Sequence, residues 1–384
     1  MSTDPLLLFV GATVLSSLLV SWCATFALRF LAPHLGLVDQ PGHRKVHTNP
    51  TPLGGGLAIW IGVITPFAFG QFALWRIISD GEQNLANSFV ARIAPNYLKH
   101  LPGIWGHSDS LWVILGAGTI LMLVGLADDR WGLGWKVRLL LQFGLAGVCV
   151  AWQGWRATAF INIPLLTGML SVIWVVAMIN SFNMLDNMDG LSGGVAAITS
   201  GTLAAAMLLT LDPETGDPQY FVGGFLLVIT GALLGFLVHN RPPARIFMGD
   251  AGSYFVGFCI AVATLLATYT GYRSENQLAV LAPVCVMAVP LYDMITVLWI
   301  RIREGRSPFQ PDKCHFSHRL VDLGLSKGKA VLTIYLLTAT CGLGALLLNR
   351  VDAVGAGIII LMILCVLALI AILETTALRK LRSD

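Results

Sequence analysis

The chain consists of long apolar runs separated by short polar segments. A bilayer core about 30 Å thick takes about 20 helical residues, so these runs predict transmembrane helices, ten or eleven in number because the shortest runs are marginal. They lie near 6–31, 53–74, 111–127, 137–153, 162–180, 190–210, 220–239, 251–270, 278–300, 330–348 and 352–374. Backbone groups in hydrocarbon must pair within their own segment, which favours helices over barrel strands. The predicted fold is an all-α polytopic bundle of about eleven transmembrane helices.

Composition agrees with this pattern. The chain is 56% hydrophobic and 12% charged, with a mean hydropathy of +0.75, which is more apolar than soluble domains are. No soluble segment interrupts the runs, so we expect one integral membrane domain over 1–384, with a polar, periplasmic insertion at about 75–110. The seven cysteines show no paired spacing and are interpreted as apolar packing residues.

The basic residues indicate the orientation. Alternating the loops between two sides places 18 of the 24 Lys and Arg residues on one side. The other six are Arg76, Arg92, Lys99, Arg156, Arg273 and Arg350. The positive-inside rule puts the richer side in the cytoplasm, with the N-terminus outside and the C-terminus inside. A net charge of +3 is too small to indicate a nucleic-acid partner.

The same alternation separates the carboxylates into two kinds. Those on the outer side are dispersed, as solvated loops explain, whereas those on the inner side form tight groups beside Gly and Asn. The groups are Asp128–Asp129, Asn183–Gly190 and Met248–Ser253. Adjacent aspartates at a membrane boundary require a cation or hydrogen-bond donors. Oxygen donors without a Cys or His cluster favour Mg²⁺, with Mn²⁺ as a substitute, and a phosphate-bearing substrate.

Two basic inner segments complement the acidic groups. One contains Arg44, Lys45 and His47, and the other runs from Arg301 to Arg319. Lys and Arg beside a membrane also serve topology and contact anionic lipids, which is the alternative for each of them. A zinc site built from Cys314 and its neighbouring histidines is disfavoured, because adjacent Cys and His is not a common chelating spacing.

One carboxylate, Asp293, lies inside the ninth apolar run. Ionisable residues within membrane segments are rare and serve function or polar networks. We expect Asp293 to be the partner of a basic residue, and direct catalysis is the alternative.

These residues, in this order, resemble the polyprenyl-phosphate N-acetylhexosamine-1-phosphate transferases, glycosyltransferase family 4, from about residue 36 to 329. The matching blocks are Asp39–Pro41 with Arg44–His47 and Pro50–Gly55, Asp128–Arg130, Asn183–Asp186 with Asp189–Leu191, Phe247–Ser253, and Ser307–Arg319. The resemblance implies that the phosphate of undecaprenyl phosphate attacks the β-phosphorus of a UDP-sugar. UMP is released and a sugar-diphospho-lipid forms, at the start of cell-envelope glycan synthesis such as that of lipopolysaccharide O-antigen.

The resemblance also implies roles by position. The implied metal ligands are Asp250, Asn183 and Asp129. The implied catalytic residues are Asp128, Asp129, Asp186, Asp189, His315 and His318. The implied substrate-binding residues are Arg44, Lys45, His47, Asn183, Lys313 and Arg319. A homodimer in the bacterial inner (plasma) membrane, surrounded by lipid, is implied as well.

The basic blocks look like the branch that transfers N-acetylglucosamine 1-phosphate, with two departures. Ser317 stands where this branch commonly has His, and Asn187 replaces the usual Gly between two aspartates. Another UDP-N-acetylhexosamine, including UDP-N-acetylmuramoyl-pentapeptide, remains an alternative donor. So does a two-step path through an aspartyl-phosphate on Asp128, although direct attack is favoured. Two functions of other classes are further alternatives. One is a secondary transporter, which would place its acidic residues near the membrane midplane, and the other is a catalytically silent scaffold that binds the lipid carrier.

Overall fold

The structure is a computed structural model. It describes residues 5–41, 50–79, 101–156, 163–211, 216–271, 280–310, 312–348 and 350–383. Arg44, Lys45 and His47 lie outside these ranges, as does most of the predicted 75–110 insertion.

The described part of the chain is helical apart from one small sheet. In its first half the helices are α1 Pro5–His34, α2 Gly55–Ser79, α3 Leu101–Gly106, α4 Ser108–Trp131, α5 Trp135–Gln153, α6 Pro164–Leu185 and α7 Leu191–Leu209. In its second half they are α8 Tyr220–Asn240, α9 Gly249–Gly271, α10 Ala282–Val286, α11 Ala288–Arg303, α12 Phe316–Asp322, α13 Lys327–Leu348 and α14 Ala353–Ser383. Within the described ranges, ten of these are long and apolar enough to cross a membrane. The all-α polytopic fold is thus confirmed.

The ninth predicted span is broken in two. The apolar run near 278–300 forms α10 and α11, and Met287 between them leaves helical geometry at φ −86° and ψ 7°. Pro290 then lies in the first turn of α11, where the missing N–H of proline removes no intrahelical hydrogen bond. With 16 residues, α11 is shorter than the other spans. The break accounts for the difference between ten full-length spans and eleven apolar runs.

Helix α9 occupies the centre of the bundle. It packs against α4 and α6, while α1 packs against α8, and α8 in turn against α7. Small residues permit the closest approaches, as in many membrane helix pairs. A Cβ atom on Gly125 of α4 would collide with the carbonyl oxygen of Asp250 at the start of α9. This contact brings the carboxyl end of α4 beside the amino end of α9.

A two-stranded sheet closes the same end of the bundle. Strand β1, Val38–Asp39, pairs antiparallel with β2, Thr51–Pro52. The segment before α9 attaches to it, because Phe247 donates its N–H to the Pro52 carbonyl oxygen at 2.9 Å. Gly55 returns a bond to the Phe247 carbonyl oxygen, also at 2.9 Å. The connection between α1 and α2 therefore fixes the loop that leads into Asp250.

Candidate active site

A cleft of about 820 Å³ opens at this end of the bundle. Its walls come from the ends of α4, α6 and α9 and from the loop between α11 and α12. The lining residues include Asp39, Asp129, Asn183, Asp186, Asn187, Asp189, Asn240, Asp250, Asp312, Lys313, His315 and His318. Eight of the predicted catalytic, metal-binding and substrate-binding residues are thus brought to one cavity: Asp129, Asn183, Asp186, Asp189, Asp250, Lys313, His315 and His318.

Asp129 holds the amino end of α9. Its Oδ1 accepts the N–H of Asp250 at 2.8 Å, and its Oδ2 accepts the N–H of Ala251 at 3.2 Å. The first N–H groups of a helix have no intrahelical partner and carry partial positive charge, so a carboxylate there is stabilising. Both Asp129 oxygens are thus engaged by backbone, and the bonds fix Asp250 relative to α4.

Asp250 presents its carboxylate between an amide and a guanidinium. Asn183 Nδ2 donates to Asp250 Oδ1 at 2.5 Å and lies 3.1 Å from Ser253 Oγ. On the other side, Arg138 Nη1 is 3.7 Å from Asp250 Oδ2. The carboxylate therefore has a fixed direction at the cleft wall.

Asp128 lies behind the cleft and is buried. Its Oδ2 accepts bonds from Arg138 Nη1 and from the Tyr254 hydroxyl, both at 2.9 Å, and its Oδ1 accepts the N–H of Leu133 at 2.7 Å. Arg138 thus bridges Asp128 and Asp250. These donors provide the neutralisation that an adjacent pair of aspartates requires.

The loop between α6 and α7 contributes Asp186 and Asp189. Asp189 Oδ2 accepts the N–H of Ala244 at 2.9 Å, and Gly190 adopts a left-handed φ of 75° that lets α7 begin. Burial, together with the charge of Asp129, raises the pKa of Asp186 to about 7, although a hydrogen bond from the Gly249 N–H partly opposes the shift. The main cause of this shift is burial, and the negative charge of Asp129 adds to it.

The two histidines lie at the start of α12: His315 directly precedes the helix and His318 is in its first turn. His315 Nδ1 is 3.1 Å from Asp293 Oδ2, and Asp293 Oδ1 accepts the N–H of Phe316 at 2.6 Å. The expectation that Asp293 is the partner of a basic residue is thereby confirmed. Burial lowers the pKa of His318, and the nearby His315 lowers it further. At neutral pH His318 is therefore an uncharged donor or acceptor facing the cleft.

Comparison with known proteins agrees with this arrangement. The sequence model described as glycosyl transferase family 4 matches residues 111–268. The chain is 33% identical over 351 residues to the decaprenyl-phosphate N-acetylglucosaminephosphotransferase of Mycobacterium tuberculosis, an alignment that covers 86% of this chain and 80% of the relative. The chain belongs to glycosyl transferase family 4.

Further members of the family are similar over comparable lengths. The probable undecaprenyl-phosphate N-acetylglucosaminyl 1-phosphate transferase of Bacillus subtilis is 31% identical, over 90% of this chain and 87% of its own length. The undecaprenyl-phosphate α-N-acetylglucosaminyl 1-phosphate transferase of Escherichia coli K12 is 28% identical, over 87% and 82%. This family 4 enzyme therefore spans most of each relative.

One predicted substrate residue of this transferase lies elsewhere. Arg319 is buried outside the cleft, where its Nε is 3.1 Å from Glu374 Oε2 and its Nη2 donates to Thr296 Oγ1 at 2.9 Å. Its Nη1 donates to the carbonyl oxygen of Cys314. These contacts give Arg319 a structural place, and nothing in the described geometry supports its predicted substrate contact.

Several residues of the site were not singled out from sequence. Arg138 lies beyond the Asp128–Arg130 block, and Tyr254 directly follows the Met248–Ser253 group. Glu374 is far along the chain, although it is the single charged side chain in the apolar span Ala353–Thr375. A single charged residue in an apolar span indicates a polar partner inside the bundle. The two family departures, Asn187 and Ser317, contact each other: Ser317 Oγ donates to Asn187 Oδ1 at 2.6 Å.

The chemistry of the cleft fits a hard divalent cation. Among the described residues, no three His, Cys, Asp or Glu side chains converge to form a complete protein-only site. Mg²⁺ commonly takes one or two carboxylates together with substrate phosphates, so a partial set is what such a site needs. The carboxylates of Asp186 and Asp250 and the amide of Asn183 line the cleft, and hard oxygen donors of this kind are the ligands that Mg²⁺ prefers. The residues present therefore fit Mg²⁺.

Proposed function

We propose that this enzyme transfers a sugar 1-phosphate, N-acetylglucosamine 1-phosphate in the first instance, from its UDP-sugar to a polyprenyl phosphate such as undecaprenyl phosphate. UMP leaves, and the product is the lipid-linked sugar that begins a cell-envelope glycan. One observation carries the proposal: Asp129, Asp186 and Asp250 share a single cleft with Lys313, His315 and His318. The three relatives described above all transfer N-acetylglucosamine phosphate according to their names, which favours this sugar over N-acetylmuramoyl-pentapeptide.

The reaction requires positioning more than a strong base. A phosphate monoester is already ionised near neutral pH, and the barrier comes from bringing two anions together in line. Lys313 and the two histidines supply donors on one wall of the cleft, where a diphosphate would fit. Asp128, held by Arg138 and Tyr254, would orient the attacking phosphate from behind the opposite wall.

Magnesium would be held by Asp250, with Asn183 contributing its amide oxygen and Asp129 supporting both from α4. Mn²⁺ is a proposed substitute. When bound, the ion would neutralise the charge of the diphosphate and of the leaving UMP. Because both Asp129 oxygens already accept backbone N–H groups, its proposed part is to fix Asp250 more than to bind the ion.

The proposed setting is the inner membrane of a bacterium, with the cleft facing the cytoplasm and the protein as a homodimer. The positive-inside bias supports the orientation. The cleft carboxylates Asp129, Asp186, Asp189 and Asp250 lie at or beside helix ends on one side of the bundle. A secondary transporter would instead place them near the midplane.

The direct test incubates purified protein with undecaprenyl phosphate, Mg²⁺ and a panel of UDP-sugars, and measures UMP release together with the lipid product. We expect UDP-N-acetylglucosamine to be used. An absence of turnover with every UDP-N-acetylhexosamine would reject the proposal. Exchange of labelled UMP into the UDP-sugar without lipid acceptor would indicate an aspartyl-phosphate instead of direct attack.

A further inference from the structure

Glu374 is an ionisable residue with no explanation in the motifs. It lies near the carboxyl end of the apolar span Ala353–Thr375 of α14, which contains no other charged residue. The residue is buried, and it points inward from a helix that is otherwise largely exposed. A carboxylate in such a position is retained for a polar network or a function.

The partners of Glu374 come from two other elements. Its Oε2 accepts the Tyr292 hydroxyl of α11 at 2.8 Å and lies 3.1 Å from Nε of Arg319 in α12. Both charged side chains are about 5% exposed. A buried ion pair contributes little net stability compared with apolar packing, but leaving one partner alone is costly. The ion pair is therefore better explained by the positions in which it holds the neighbouring segments than by its contribution to stability.

Arg319 connects Glu374 to the backbone directly before His315. Its Nη1 donates to the carbonyl oxygen of Cys314, and its Nη2 donates to Thr296 Oγ1. The peptide group on the other side of His315 is fixed by Asp293, which accepts the N–H of Phe316. Two buried carboxylates thus fix the two peptide groups that flank this histidine, one directly and one through an arginine.

We propose that Glu374 is a positioning residue which, through Arg319, places His315 at the cleft. The last transmembrane helix thereby becomes part of the active-site framework. The effect on turnover rests on the proposed function, whereas the effect on the loop does not. A displaced histidine would slow the chemical step more than it would weaken donor binding, because Lys313 and the other wall residues remain.

Cys314 gives a readout of the loop that is independent of activity. Its thiol is partly exposed, whereas Cys149, Cys259, Cys285 and Cys341 are buried. Replacing the two exposed cysteines, Cys23 and Cys365, with alanine leaves Cys314 as the accessible thiol among the described residues. Its rate of modification by a water-soluble maleimide, read by peptide mass spectrometry, reports how firmly the Cys314 peptide is held.

The experiment compares Glu374→Gln with two other variants in this background. Tyr292→Phe removes one hydrogen bond to the same carboxylate and keeps the charge, which covers the case in which Glu374→Gln fails to fold. Asp352→Asn is the matched control, because Asp352 Oδ1 accepts the N–H of Gly355 at the opposite end of the same helix. Thermal unfolding in detergent establishes that each variant is folded.

We expect Glu374→Gln to raise the Cys314 labelling rate at least about fivefold, and Tyr292→Phe to raise it less. kcat should fall about 10- to 100-fold while KM for the UDP-sugar stays within about threefold. Asp352→Asn should match the parent in both measurements. Parent-like labelling of folded Glu374→Gln and Tyr292→Phe would overturn the inference. If the parent itself shows no turnover, only the proposed function fails, and the labelling rates still decide the role of Glu374.

Discussion

At the residue scale, Asp129 and Asp250 are in contact but have different surroundings. Both Asp129 oxygens accept N–H groups of α9, whereas Asp250 is bonded to one amide and lies 3.7 Å from a guanidinium. Hydrogen bonding therefore gives Asp129 a structural part at the start of α9 and leaves Asp250 for the proposed role in chemistry. The adjacent pair Asp128–Asp129 can be recognised from the sequence. The different roles of Asp129 and Asp250, however, depend on the contact of Asp129 with α9, which begins 120 residues later in the chain.

Substitution of Asp250 is the first prediction at this scale. Asp250→Ala should lower turnover by at least about 10²- to 10³-fold, because the carboxylate would help neutralise charge that develops in the reaction. Raising the Mg²⁺ concentration should not restore activity, and the melting temperature should change little. UMP release over a Mg²⁺ titration measures this, with Asp352→Ala, at the far end of the bundle, as the silent control. Recovery at high Mg²⁺ would reduce Asp250 to an assisting role.

The contact between Asn187 and Ser317 leads to a second prediction. Asn187 Nδ2 also donates to the Met184 carbonyl oxygen at 2.8 Å, so the amide is held at both ends and joins the Asp186 loop to α12. Ser317→Ala and Asn187→Ala should each lower kcat/KM, and the double variant should do little more. We expect a coupling energy of about 1 kcal/mol. Fully additive effects would show that the two departures act separately.

At the scale of elements, the helices could be predicted from the sequence, but the break within one span and the contacts between helices could not. Length and hydropathy located the spans because a bilayer demands both. The break at Met287 was not predicted, since the run near 278–300 stays apolar through it. The ion pair between Arg319 and Glu374 joins residues 55 positions apart, a distance that no local pattern encodes. Arg319 was therefore assigned to substrate from its motif alone.

The loop between α11 and α12 is held by an ion-pair cluster, which leads to a pH prediction. Asp312 contacts Arg301 at 3.0 Å and Arg306 at 2.7 Å. Burial alone would raise the pKa of Asp312, but the bonds from Arg301, Arg306 and the Cys314 N–H lower it to about 2. Ionised Asp312 therefore stabilises the fold at pH values above about 4, the usual pKa of an aspartate. This contribution is lost as the pH falls from about 4 towards 2.

Asp312→Asn should therefore melt at a lower temperature than the parent at pH 7. The difference between the two melting temperatures should become smaller as the pH falls from 4 to 3. Differential scanning fluorimetry in detergent measures both proteins across this range. Asp322→Asn, an exposed change in the following helix, is the control. A difference that stays constant with pH would mean that the ionised form of Asp312 is not what stabilises the loop.

At the scale of the whole molecule, the two ends of the bundle have different characters. The cleft, the sheet and the ion-pair cluster share one end. Helix α1 leads into β1 at that end, and Glu374 brings the carboxyl end of α14 there as well. The chain thus begins its first span opposite the cleft and finishes its last span beside it. The proposal that the cleft end faces the cytoplasm rests on the distribution of the basic residues, since the bundle geometry is the same in either orientation.

Labelling across α13 tests that orientation. Lys329 is exposed in the first turn of this helix, and Arg350 is exposed just beyond its other end. In a background without Cys23, Cys314 and Cys365, Arg350→Cys should react with a membrane-impermeant maleimide in spheroplasts, whereas Lys329→Cys should react only after the membrane is opened. Since 22 helical residues separate the two ends, a span across the bilayer cannot expose both to one side. The reverse pattern would place the cleft outside, away from cytoplasmic nucleotides, and would contradict the proposed donor.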